Sequence, residues 1–183
     1  MNRKGQSAKK TKFIAISAIL CSLGTLLLYL GSVIEVLDLT AGAIASLIVV
    51  MAVIEMKGRW PYLIWLVTSA LSLILLPNKF IVLFYLLFYG AYPILKSKIE
   101  KLNSIVSWVL KLVMFNASLA IVIFVTMKIV TLSSQNPDLA FSWTVFAVSN
   151  VTFVLFDIAL SRLITLYLLK LRQSLRIKNY FQN

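Results

Sequence analysis

Long apolar runs recur through the chain, separated by short polar turns that together with the two tails carry most of the charge. A run of about 20 apolar residues is long enough to cross ~30 Å of hydrocarbon as a helix. Composition agrees, since hydrophobic residues fill 61% of the 183 positions and charged residues 13%. Soluble domains are nearer half and a quarter. The expected fold is therefore all-α: a polytopic integral membrane protein forming a single bundle of about six transmembrane helices.

The spans are read at residues 13–34, 39–56, 60–76, 80–95, 105–132 and 139–170. Residues 1–12 form a basic tail, 13–170 the membrane domain, and 171–183 a second basic tail. The first run is too long for a signal-peptide core of about 7–15 residues, so it reads as an uncleaved helix. Ala41/Ala45 and Gly42/Ser46 are small-xxx-small pairs that allow close helix contact. The midpoint of the chain, residues 84–101, turns from aromatic sequence into lysines. Tyr85, Tyr89 and Tyr92 are spaced to share a face, Gly90 permits close backbone approach, and Pro93 removes a helix donor.

Fourteen Lys and Arg residues fall on the side of the N-terminal tail, the loops 55–60 and 96–104 and the segment from Lys170 onward, against Lys79 alone in the opposite turns. That bias predicts a cell-membrane protein with both termini cytoplasmic. It also accounts for the net charge of +12 as topology and contact with anionic lipid, not nucleic acid. Histidine is absent and Cys21 is the only cysteine, so no internal disulfide, His-based metal site or His-assisted nucleophile is expected. No cofactor and no enzymatic activity are expected.

Polar groups inside spans are costly and invite a functional reading. Lys111 and Asp157 lie at similar depths from the basic side, so an ion pair between spans five and six is feasible. Asn116 joins them on span five, while Asn150, Asp157 and Ser161 form a polar stripe on span six. These groups serve either as interhelical glue or as part of a substrate path. On the opposite side Glu35, Asp38, Lys79, Lys128, Asn136 and Trp143 could converge as a pocket for a small polar ligand with a ring, or could be ordinary interface residues. Lys96, Lys98 and Lys101 form either a solvated face or a docking surface for a partner.

Six short spans, a Lys-rich start leading into Thr11-Lys-Phe-Ile-Ala-Ile-Ser-Ala18, and the absence of a Walker A motif together resemble the substrate-binding S components of bacterial energy-coupling-factor (ECF) transporters. The Ala-xxx-Ala contact of that family has Ser17/Cys21 and Ala18/Ser22 as its nearest equivalents here. The resemblance implies an outward-facing site for a vitamin-like molecule, and a transmembrane coupling protein and ATPase subunits as partners. The alternative is a non-transporting scaffold or assembly factor, similar in size and span count to rod-shape-determining membrane proteins.

Overall fold

A computed structural model describes residues 3–56, 58–133 and 143–171. Six helices, and no strand among the described residues, make up the fold. They are α1 (Arg3–Val33), α2 (Asp38–Glu55), α3 (Trp60–Leu75), α4 (Lys79–Ile99), α5 (Ser104–Ser133) and α6 (Trp143–Leu166), the last continuing through a wide turn at Tyr167–Leu171. Five of them hold apolar stretches long enough to cross a membrane. The sixth, α3, has 16 residues and reaches only ~24 Å at ~1.5 Å per residue. The chain is thus a helical membrane bundle, wrapped in exposed Leu, Ile and Val side chains that suit lipid.

Two boundaries differ from the hydropathy pattern. The first helix begins at Arg3, ten residues before the apolar run, so the described part of the basic tail extends α1. The fourth runs on past Leu95 to Ile99 and carries Lys96 and Lys98 as helical residues. Of the turn expected at 133–138, Ser133 ends α5 and the rest lies outside the described residues.

Small residues set the contacts of α2. Its Ala41 sits so near Gly31 of α1 that a Cβ on Gly31 would stand 2.2 Å from the Ala41 Cβ. On its other side Gly42 faces the ring of Tyr89, which leaves 2.6 Å for a Cβ. Both expected small-residue pairs are buried, and lipid gives helices no hydrophobic reason to associate, so this close approach supplies much of the attraction.

In the middle of α4, Tyr85–Tyr89 forms a π-helical turn, with Gly90 N–H donating to the carbonyl of Tyr85 at 2.8 Å. Pro93 follows four residues after Tyr89 and cannot donate to its carbonyl, which favours the loosening. Such a turn leaves backbone carbonyls short of in-helix donors. Two are met from outside: Trp65 Nε1 donates to the Leu86 carbonyl and Ser118 Oγ to the Leu87 carbonyl, both at 3.1 Å. Phe88 in this turn packs against Phe115, Phe153 and Phe156, so the wide turn also anchors the aromatic core between α4, α5 and α6.

Candidate functional site

The basic end of α4 presents Tyr92, Lys96 and Glu100 at intervals of four, which places them on one face. From α5, Lys111 enters about two turns above the helix start at Ser104. From α6, Asp157 and Ser161 project one turn apart. These six side chains meet between the three helices.

Asp157 is the hub. Its Oδ1 accepts hydrogen bonds from the Tyr92 hydroxyl at 2.5 Å and from Lys96 Nζ, and its Oδ2 accepts from Lys111 Nζ at 3.0 Å. Lys96 Nζ also donates to Ser161 Oγ at 2.9 Å and pairs with Glu100 Oε1 at 2.9 Å. Lys111 Nζ reaches the same Glu100 oxygen at 3.1 Å. Two lysines and two carboxylates therefore alternate around a closed, neutral ring. Lys96, Lys111 and Asp157 are buried, whereas the Glu100 side chain keeps 45% of its exposure. All three ammonium protons of Lys96 have acceptors, which is what makes a buried charge tolerable. Burial pushes the Glu100 carboxyl up, but hydrogen bonds and charge from Lys96 and Lys111 outweigh it and hold the group below the ordinary carboxylate range.

Further along the same interface, Asn116 and Asn150 form a reciprocal amide pair. Each Nδ2 donates to the other's Oδ1, at 3.0 and 3.2 Å, and to the carbonyl four residues back in its own helix, Leu112 or Phe146, at 2.9 Å. Lys111, Asn116, Asn150 and Asp157 thus all face helix partners across the α5–α6 interface.

Lys96 departs from the expected solvated docking face. It is 1% exposed, because α4 continues past Leu95 and turns that position towards α6. Lys98 and Lys101 remain exposed, with Lys98 Nζ 5.3 Å from the Tyr62 ring centroid. The i, i+4, i+8 spacing of Tyr92, Lys96 and Glu100 was the signal in the sequence for this face.

At the opposite end, Asp38 and Lys79 tie the fold together. Asp38 Oδ2 accepts from Asn78 Nδ2 at 2.5 Å, and Asn78 N–H donates to Ser32 Oγ at 3.2 Å. Asn78 also caps α4, its Oδ1 accepting from Phe80 N–H at 3.0 Å. Lys79 Nζ donates to the carbonyls of Leu73 and Leu76 at 2.7 Å and so closes the end of α3. Glu35 stands in the turn Glu35–Leu37, one turn before α2. Lys128 lies at the far end of the apolar stretch of α5, 5.7 Å from the Phe124 ring centroid. The Glu35 and Trp143 side chains and all of Asn136 lie outside the described residues. Among the described residues no group of His, Cys, Asp and Glu is arranged to hold a metal ion.

No protein-family model matches the chain, and neither a curated protein nor a solved structure is significantly similar to it.

Proposed function

We propose that the chain is the membrane-embedded binding subunit of an uptake system for a small polar, vitamin-like molecule, energised by separate coupling and ATPase subunits. The observation that carries this reading is the ring of Lys96, Glu100, Lys111 and Asp157, buried between α4, α5 and α6. Ionisable groups inside a membrane bundle are expensive, and they characteristically mark ligand or ion handling. The exposed Lys98 and Lys101 beside the ring are then the docking residues for the coupling protein, on a cytoplasmic face.

One observation favours a second reading, a non-transporting scaffold. At the end where the outward pocket is expected, Asp38 accepts from the Asn78 side chain, Asn78 caps α4, and Lys79 donates to carbonyls at the end of α3. Purification of the tagged chain in mild detergent, with mass spectrometry of everything that accompanies it, separates the two. The uptake reading expects a coupling protein, ATPases and a retained small molecule. Recovery with cell-wall or cytoskeletal proteins and no small molecule would replace it with the scaffold.

A further inference from the structure

Glu100 stands apart from the rest of its ring. It lies one residue beyond α4, its side chain is about half exposed, and its backbone N–H is already bonded to the Lys96 carbonyl at 3.0 Å. The helix end therefore does not depend on its carboxylate. Rotation about side-chain bonds alone carries that carboxylate into water. The two lysines cannot follow it, because Lys96 is held by Asp157 and Ser161 and Lys111 is held by Asp157.

What the departure of Glu100 leaves behind is a recognisable arrangement. Two ammonium groups converge on the point now occupied by one oxygen, at 2.9 and 3.1 Å, with Asp157 behind them neutralising one of the two charges. The uncompensated charge at the mouth is a single positive one. An oxyanion carrying one negative charge restores neutrality, and charge-assisted N–H···O⁻ bonds are the strong kind. A phosphodiester has that charge. The surroundings suit a lipid: Leu95, Leu102, Ile105 and Val106 are exposed apolar residues flanking Glu100 in sequence, and Lys98 and Lys101 add exposed positive charge beside it. Basic residues at the membrane surface attract anionic headgroups.

We infer that Glu100 is an intramolecular plug in an oxyanion site formed by Lys96 and Lys111, and that the phosphodiester of an anionic membrane lipid displaces it. The site lies at the basic end of the bundle and draws on the same ring that carries the uptake reading, but its test reads lipid binding and does not require uptake.

The test is thermal unfolding of the full chain in dodecyl maltoside, titrated with dihexanoyl-phosphatidylglycerol, with inorganic phosphate, or with an uncharged short-chain diacylglycerol. Glu100→Gln and Glu100→Ala each remove the competing carboxylate and should lower the half-maximal phosphatidylglycerol concentration by about tenfold or more. The charge-balanced double variant Glu100→Gln/Lys111→Gln should lose that gain. A gain with phosphatidylglycerol alone assigns the site to lipid, and an equal gain with inorganic phosphate assigns it to a free oxyanion of the same chemistry. The proposal is overturned if neither anion gains, if the diacylglycerol responds equally, or if the double variant keeps the gain. It is also overturned if neither single variant folds, since Glu100 would then be a clasp.

Discussion

Removing Asp157 should damage the protein far more than removing Lys111, although the two residues face each other at 3.0 Å. The asymmetry follows from the ring. With Asp157→Leu, two buried ammonium groups are left to share Glu100, and the Tyr92 hydroxyl loses its acceptor. Stranding a buried charge in this way typically costs about 3–5 kcal/mol. With Lys111→Met, Asp157 keeps Lys96 and Tyr92, and the half-exposed Glu100 can turn to water, so the loss should be nearer 1–2 kcal/mol, the scale of a hydrogen bond to a charged group. For a chain of this length about 2–4 °C accompanies each kcal/mol, giving about 6–20 °C for Asp157→Leu and only a few degrees for Lys111→Met. The double variant should be more stable than the two losses predict when added, by a coupling of about 0.5–3 kcal/mol. Thermal unfolding of fluorescently tagged protein in mild detergent, followed by size-exclusion chromatography, reads all four corners of the cycle. Equal losses for the two single changes would refute the hub assignment, and strict additivity would refute the contact itself.

Two further outcomes are expected. A Cβ at Gly90 would stand 2.3 Å from Cδ1 of Trp65, so Gly90→Ala should displace the indole from the Leu86 carbonyl and lower the unfolding midpoint by several degrees, whereas Gly58→Ala, with open space around it but φ +85°, should cost only about 1–2 kcal/mol, through backbone strain alone. In a Cys21→Ala background, a cysteine at Pro77 should react with an impermeant thiol reagent in intact cells and one at Lys101 only after the cells are opened; the reverse pattern would invert the proposed orientation.

The all-helical bundle was legible because it follows from the length and composition of apolar runs, which need no tertiary information. The Lys111–Asp157 proximity was legible too, since depth along two helices can be counted from a common basic end. Lys96 was not. Hydropathy ends the fourth run at Leu95, yet the backbone continues to Ile99, and a lysine two positions from exposed Lys98 turns inward. Neighbouring basic residues look alike in composition, and only the four-residue spacing with Tyr92 and Glu100 distinguishes this one. Asp38 and Lys79 illustrate the opposite confusion: polar side chains that tie helices together have the same residue types as those that bind ligands. The π turn at Tyr85–Tyr89 depends on donors supplied by Trp65 and Ser118, some 20 and 30 residues away, so local sequence offers only the hint of Pro93.

The two halves of the bundle are held by different chemistry, and this bears on which helix can move. In α1, α2 and α3 the attraction comes from close approach at small residues, with Gly31 against Ala41 and Gly24 within 3.2 Å, by its Cβ position, of the Thr68 methyl. Such contacts are lost steeply with distance but leave no charge exposed when they part. The attachment of α6 is different. Asp157, Asn150 and Ser161 bind α4 and α5 through polar groups, supported by the stacked rings of Phe115 and Phe153 at 4.6 Å, while Val148, Val151, Leu155 and Ile158 face outward. Withdrawing α6 would leave Lys96 and Lys111 with only the half-exposed Glu100 as a counter-charge. A helix attached this way is costly to withdraw, because a buried charge left without its partner costs about 3–5 kcal/mol. Any rearrangement of the bundle is therefore expected to begin at the contacts of α1, α2 and α3, with α6 held in place through Asp157.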